Sequence, residues 1–395
     1  MVRICRVTGP ALTAVVLTCL LLCGHAPAWG AKKEPAVVTA LLDALGAEFS
    51  ARPTYRKYRT GEDGAITLRS LTTEPKGGTA TPPDMIVSAE YLTLSGIAPA
   101  PDGRFEIRDI AITNLIALSS ADGESGIALR LPEVRLTGVT LRAPGAAGAA
   151  PYLVARSISA PGAVLSSGGV SLPIGPIRFA HAWDAAAGKG NYDFTIDDIH
   201  YPASVIGRSD PSGAVLSLLG GDMVFDLRLK GDVAGEKGTF DAMLGIESFG
   251  TFRLNGSFDG SEAGALGDFM DMPRKRPLAL APLLSPLVLT DLVLRFDDQS
   301  GTRRLLAMIA SDLQTEPTSL VAEATAALAL GLSEAGNPAL VEPVVNAAKA
   351  FLTDPKSLTI RSAPGKPVPM QTLFATATNP AAWVTELPVS VTAND

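Results

Sequence analysis

The apolar residues of this chain follow two periods, and the place where one gives way to the other divides it. Near the N-terminus Val37, Val38, Leu41, Leu42, Leu45 and Phe49 recur at spacings of three and four behind Pro35, which predicts a short amphipathic helix. A breaker-rich stretch from Glu74 to Pro83 reads as a loop or linker. From Met85 to Phe296 the pattern becomes short apolar alternation interrupted by Gly, Asp and Pro, which predicts successive strands with no helix among them. Asp297-Asp298-Gln299-Ser300-Gly301 reads as a turn, after which helical spacing returns. It appears in Leu305, Leu306, Ile309 and Leu313, then behind Pro317 in Leu320, Ala324, Leu328 and Leu332. A third helix carries Val344, Val345, Ala348, Phe351 and Leu352, with a bend or restart at Pro343 and a stop at Asp354-Pro355. Strand at Leu358 to Ile360, a helical turn from Asn379-Pro380 to Leu387 and a strand at Val389 to Val391 complete the tail.

Within the strand-rich stretch one pattern recurs: apolar, any, apolar, Ser or Thr, Gly, Asn or Asp, apolar. It stands as Leu92-Thr93-Leu94-Ser95-Gly96-Ile97, Ile110-Ala111-Ile112-Thr113-Asn114-Leu115, Val134-Arg135-Leu136-Thr137-Gly138-Val139 and Leu287-Val288-Leu289-Thr290-Asp291-Leu292, with Ile66 to Leu71 as a degenerate fifth. Apolar positions change from even to odd numbers across Gly138, and from odd to even across Asp291. One residue has been inserted at each place, and the types found there tolerate a left-handed backbone, so the expectation is a strand carrying a β-bulge. Copies are irregularly spaced, which argues against a solenoid. Met223 to Lys230, Thr239 to Ile246 and Thr251 to Phe258 read as a meander joined around Gly231 to Gly238 and at Gly250. Asp226, Arg228 and Lys230 alternate with Phe225, Leu227 and Leu229, so one of its faces is wet.

Residues 1–30 have the three parts of a cleavable export signal: Arg3 and Arg6, an apolar run from Ala11 to Cys23, and a small-residue exit ending Ala26-Pro27-Ala28-Trp29-Gly30. The run is too short for a membrane-spanning helix, which takes about 20 residues. Lipid attachment is disfavoured because Thr18 and Leu22, not small residues, precede Cys19 and Cys23. All three cysteines fall in this segment, so the remaining chain has neither disulfides nor thiolate metal sites and must be held by burial. Removing Arg3 and Arg6 leaves 31 Lys and Arg against 40 Asp and Glu, a net charge of −9. That balance argues against nonspecific nucleic-acid binding, and 47% hydrophobic residues with only 18% charged ones argue against bulk disorder.

The catalytic signatures of a nucleophile elbow, a phosphate loop, a dinucleotide fingerprint and a zinc-protease helix are missing from the sequence. His181 and His200, with Asp184, Asp193, Asp197 and Asp198 nearby in sequence, have the residue types of a metal or acid/base site, but their spacing matches no ligand pattern. The bland reading is a strand-edge histidine and turn carboxylates. Asp197-Asp198 and Asp297-Asp298 both read as strand-to-turn positions, where two carboxylates share one environment and do not separate in pKa. Pro273-Arg274-Lys275-Arg276-Pro277 reads as a solvated linker; its other reading is contact with anionic headgroups, at about 1 kcal/mol per basic residue. Asn255-Gly256-Ser257 matches a glycosylation acceptor but marks a turn more simply.

The Leu-x-Leu-Ser-Gly-Ile and Ile-x-Ile-Thr-Asn-Leu strands behind an export signal resemble those of AsmA-like bacterial envelope proteins over Met85 to Phe296. That resemblance implies long sheets curled into a groove that holds lipid chains. The tail from Asp297 to Asp395 resembles tails of uncharacterised exported proteobacterial proteins. The expected fold is α+β, mainly β: an elongated, curved or groove-like antiparallel sheet with a smaller helical C-terminal segment. Its divisions are a signal peptide at 1–30, a helix, strand and linker at 31–83, a β-rich domain at 84–296 and a helical α+β segment at 297–395. The expected function is that of a noncatalytic periplasmic or otherwise extracytoplasmic protein that binds lipid or another hydrophobic ligand on a curved sheet, without cofactor, metal or nucleic acid. The alternatives are an envelope scaffold or assembly factor that binds other proteins, and a hydrolase with an unrecognised site. N-terminal sequencing of the protein from an extracytoplasmic fraction should start at Trp29 or Ala31; an intact Met1 on cytosolic protein would remove the export reading.

Overall fold

The computed structural model describes residues 34–48, 52–73, 85–100, 103–119, 126–142, 152–184, 187–209, 220–260, 288–334, 338–369 and 388–395, with 213, 216, 218 and 372 besides. The signal segment with its cysteines, the Glu74 to Pro83 linker, the Arg274-Lys275-Arg276 cluster and the helical turn expected from Asn379 to Leu387 lie outside these residues. The fold is mainly antiparallel sheet, curved, with helices mostly toward the C-terminus. Its strands are divided between two units. The first comprises residues through His181 together with Ile196–Ile199, and the second comprises Ala182–Thr195 and everything from His200 onward.

In the first unit a helix, α1 (Ala36–Glu48), precedes ten strands: β1 (Lys57–Thr60), β2 (Ile66–Thr72), β3 (Met85–Pro99), β4 (Arg104–Ser119), β5 (Ile127–Arg142), β6 (Tyr152–Ala160), β7 (Ala163–Ser167), β8 (Val170–Ile174), β9 (Ile177–Asp184) and β10 (Lys189–Tyr201), the last two only in part. β1 to β5 pair in chain order. β5 is long enough to pair with β6 over one half and β7 over the other. The inward side chains form a dense core in which Leu68, Leu94, Leu136, Val139 and Leu141 reach 0% exposure.

The expected phase slips are present, in a form that sequence spacing did not distinguish. Gly96, Asn114, Gly138 and Ser70 all adopt left-handed backbone, with φ of 64, 50, 58 and 54°. Buried positions shift parity across them, as from Leu136 to Val139 at Gly138 and from Leu68 to Leu71 at Ser70. Yet no register is lost. Ser95 pairs with Asp109 and Ile97 with Ile107; Asp109 pairs with Thr137 and Ile107 with Val139; Thr137 pairs with Ser157 and Val139 with Ala155. Every strand carries its extra residue opposite its neighbour's, so the slips line up as two transverse seams. One runs through Ser70, Glu90 and Asn114; the other runs through Gly96, Arg108, Gly138 and Arg156. The expectation of one-sided bulges is corrected here, because a shared slip turns the sheet while leaving its ladder intact, whereas a lone insertion leaves one residue unpaired. A true bulge does occur at the fourth copy: Ser257 pairs with Asp291 but Phe258 with Leu289, which leaves Thr290 over.

The curved apolar face of this unit is covered by α1, which packs over β5 and β6. The helix was expected to be amphipathic, but Val37, Val38, Ala40, Leu41, Leu42, Asp43, Ala44 and Leu45 are all buried. Such burial needs its charge satisfied. Asp43 accepts from Arg52 Nε at 2.8 Å, and Glu34 accepts from Arg52 at 3.2 Å, from Tyr55 at 2.6 Å and from Thr39 at 2.9 Å. Desolvation, reinforced by the Glu34 carboxylate, holds the Tyr55 hydroxyl well above its ordinary range.

The second unit includes a short helix, α2 (Ala203–Ser209), within the 85–296 stretch that the sequence pattern reads as strand alone. Its sheet is β11 (Met223–Ala234), β12 (Lys237–Ile246), β13 (Gly250–Asp259), β14 (Val288–Asp298), β15 (Ser357–Ser362) and β17 (Val389–Ala393) in that pairing order, with β16 (Val368–Pro369) beside the start of β14. The meander strands run further than expected: Gly235 at φ 64° closes a tight turn with Glu236, so the 231–238 stretch is mostly strand. Asn255-Gly256 likewise lies inside β13, not in a turn.

The helices α3 (Gly301–Asp312), α4 (Pro317–Glu334) and α5 (Pro338–Thr353) follow β14. Asp298 starts α3 by accepting from the Ser300 and Thr302 amides at 2.8 and 2.7 Å. α5 runs through Pro343 without restarting. In α4 the buried stripe is Val321 and Thr325, one residue from the predicted one, and Ala324 is exposed. Leu313 lies past the end of α3 and is exposed. Replacing Gly138 with Ala should cost about 1–2 kcal/mol of stability, the penalty of a left-handed L-residue, because the new Cβ would also sit 2.8 Å from the Arg156 side chain. Denaturant unfolding of Gly138→Ala measures it.

Candidate functional site

The two units treat their apolar faces differently. In the second unit, cross-strand partners share a face, and two adjacent rows on one side are wholly apolar. One row runs Leu227, Leu244, Phe252, Phe296, Leu358 and Ala393; the next runs Leu229, Ala242, Leu254, Leu294, Ile360 and Val391. The opposite side carries Arg228, Met243, Arg253, Arg295, Thr359 and Thr392 in one row, polar but for the methionine. Apolar residues over such an area are ordinarily driven beneath another layer. Here Leu244 keeps 36% and Leu294 40% of their surface exposed.

Glycine opposite aromatic is the local device that flattens this face. A Cβ on Gly256 would meet the Phe240 ring at 2.5 Å, one on Gly238 would meet Phe258 at 2.2 Å, and one on Gly231 would meet Tyr192 at 2.3 Å. Each ring lies down over its neighbour's bare backbone, so the surface is paved and has little relief. One end is closed: Phe351 of α5 meets Phe296 edge-on at 6.0 Å, and Phe252 and Phe249 flank Phe296 at 4.5 and 6.1 Å. At the other end Leu289 and Val368 are buried, with Leu292 and Val389 against them. The half-exposed rows lie between. What this surface supplies is dispersion and water exclusion, about 0.8 kcal/mol for each methylene fully buried on it.

The sequence candidates for chemistry disperse. His181 faces inward beside Phe179, ring centroids 5.7 Å apart, with the Ala155 carbonyl against its ring. Burial holds its pKa below the ordinary 6.5; the carbonyl opposes that shift and Arg156 adds to it. In the second unit His200 meets Asp222 at 2.7 Å, and Asp222 also accepts from the Ala203 amide, which ties the start of α2 to the segment before β11. These bonds, the amide first, hold the Asp222 carboxyl below its usual range. Asp193 pairs with Lys230 and Asp197 with Arg178, at 3.1 and 2.9 Å. Asp184 accepts from the Ala187 amide at 3.1 Å. Asp197-Asp198 lies within β10, not at a turn, and Asp198 is left-handed at φ 53°. Among the described residues no three of His, Cys, Asp and Glu converge to hold a metal ion. Nor is any helix among them long and apolar enough to cross a membrane.

The open face was only half legible in the sequence. Alternation in Phe225 to Leu229 marked one strand, but six strands had to be paired before the rows were contiguous. A family model described as an uncharacterized protein matches residues 243–394, from within β12 through β17. No curated protein matches the chain.

The lowered pKa of His181 carries a pH prediction. A depressed folded value means the neutral ring is favoured, so its stability contribution is complete above about pH 6.5 and is lost as pH falls through the folded value. His181→Gln should flatten the loss of stability between neutral and mildly acidic pH, read as a smaller drop in melting temperature than in the parent.

Proposed function

We propose that this protein is a noncatalytic, exported envelope protein that holds lipid acyl chains or a comparably apolar ligand on the open face of its second sheet. The observation that carries this reading is the contrast between the units. The first covers its apolar face with its own helix α1, while the second leaves Leu244 and Leu294 more than a third exposed in the middle of an apolar floor. An exposed apolar patch of this kind ordinarily marks an interaction site. Flat paving by Phe240 and Phe258 suits a long flexible chain laid along it. The export signal read from residues 1–30 puts the ligand outside the cytoplasm, and the resemblance to AsmA-like strands agrees with that role.

Lipid extraction of the purified mature protein followed by mass spectrometry tests the reading directly. Stoichiometric acyl-containing species should be recovered, and Leu254→Asp together with Leu294→Asp should lower their recovery at least tenfold while the far-ultraviolet spectrum keeps its strand signature. Protein isolated from envelope without any bound acyl chain would sink the proposal.

A further inference from the structure

We propose that the outer face of β1 and β2 is a docking patch for anionic phospholipid headgroups. Lys57, Arg59 and Arg69 are all exposed there, and none of them makes an ion pair among the described residues. This sets them apart from cations elsewhere. Arg108 meets Asp109, Arg135 meets Glu133, Arg178 meets Asp197 and Arg361 meets Asp291.

The register sharpens the contrast. Lys57 stands directly opposite Arg69, and like charges in that position destabilise a strand pair. Lys57 and Arg59 are two residues apart and so share a face, which is the outward one because their neighbour Tyr58 pairs with Leu68, a fully buried residue. Three cations are therefore fixed side by side on paired backbone. The nearby acids form no ion pair with them among the described residues: Glu62 and Asp63 lie at the hairpin tip, where Asp63 accepts from the Ala65 amide at 3.1 Å, and Glu90 accepts from Asn114 at 2.6 Å. The mature chain is net negative, so this concentration of positive charge runs against its overall balance.

A tyrosine from β3 lies among the cations: Tyr91 pairs with Arg69, whose guanidinium is 5.8 Å from its ring centre. Amphipathic rings beside basic side chains fit the headgroup layer of a membrane, where each Lys or Arg strengthens association about fivefold. Nucleic acid is the poorer match, because its affinity rests on many phosphates neutralised at once. The inference rests on the exported reading but not on the open face of the second unit.

The test is sedimentation of the mature protein with vesicles of phosphatidylcholine alone or with phosphatidylglycerol added. Wild type should bind only the anionic vesicles, more weakly as salt rises. The variant Lys57→Gln/Arg59→Gln/Arg69→Gln should lose binding by roughly a hundredfold, about fivefold for each charge removed. Relief of the Lys57–Arg69 repulsion should leave its melting temperature unchanged or raised, which separates lost docking from lost fold. Leu330→Gln, at an exposed position of α4 that belongs to neither proposed surface, should sediment as wild type does. Equal sedimentation of wild type and the triple variant would overturn the proposal. So would a melting temperature lowered by the substitutions, loss of binding in Leu330→Gln alone, or charge-dependent capture by nucleic acid without capture by anionic vesicles.

Discussion

A sheet with one apolar face cannot stand in water uncovered, and the two units meet that constraint in different ways. In the first, the chain supplies its own cover: α1 lies over β5 and β6, and nearly all of its side chains are removed from solvent. Removing so much apolar surface from water is the main favourable term available where no described residue is a cysteine. It also forces a carboxylate, Asp43, into the interior, and Arg52 must follow to satisfy it. Breaking a buried pair of this kind on one side is costly, because the other charge stays behind. The Glu34, Arg52, Asp43 and Tyr55 cluster is therefore best understood as a consequence of burying α1 completely.

Curvature is what lets one helix serve so large a face. The transverse seams supply it by inserting a residue in each strand at matched positions, so the inward set stays inward on both sides while the direction of the strands changes. Gly138 and Gly96 are needed because the left-handed residues alternate across a seam with arginines whose stems lie over them. A side chain there would meet both a strained backbone and an occupied space.

The second unit solves the same problem only at its ends. α5 seals one end through Phe351, and Leu289 with Val368 close the other. Between them the glycine and aromatic pairs remove relief in place of adding cover. A surface of this kind holds ligands by area and shape, with little directional chemistry, and the polar groups of the unit are engaged elsewhere. Arg295, for example, is held by Asp297 and Asp395 on the opposite side of the sheet. The basic face of β1 and β2 has the complementary character, charge without area.

Local patterns determined much of this. The spacing of Val37 to Leu45 placed α1, alternation placed β3 to β5 and β11 to β14, and the Ser/Thr followed by Gly or Asn placed the left-handed residues, because each of those signals depends on a few neighbouring positions. What the sequence could not carry was anything that depends on which strands become neighbours. A phase slip looks the same in one strand whether its neighbour shares it or not, so bulge and seam were indistinguishable until the register was known. The helical period of α1 likewise showed that it would bury a face, but its complete burial follows from the sheet that surrounds it. Whether an apolar face is covered or open is decided by the tertiary arrangement alone, since burial is a property of what lies opposite a residue, and that partner is usually far away along the chain.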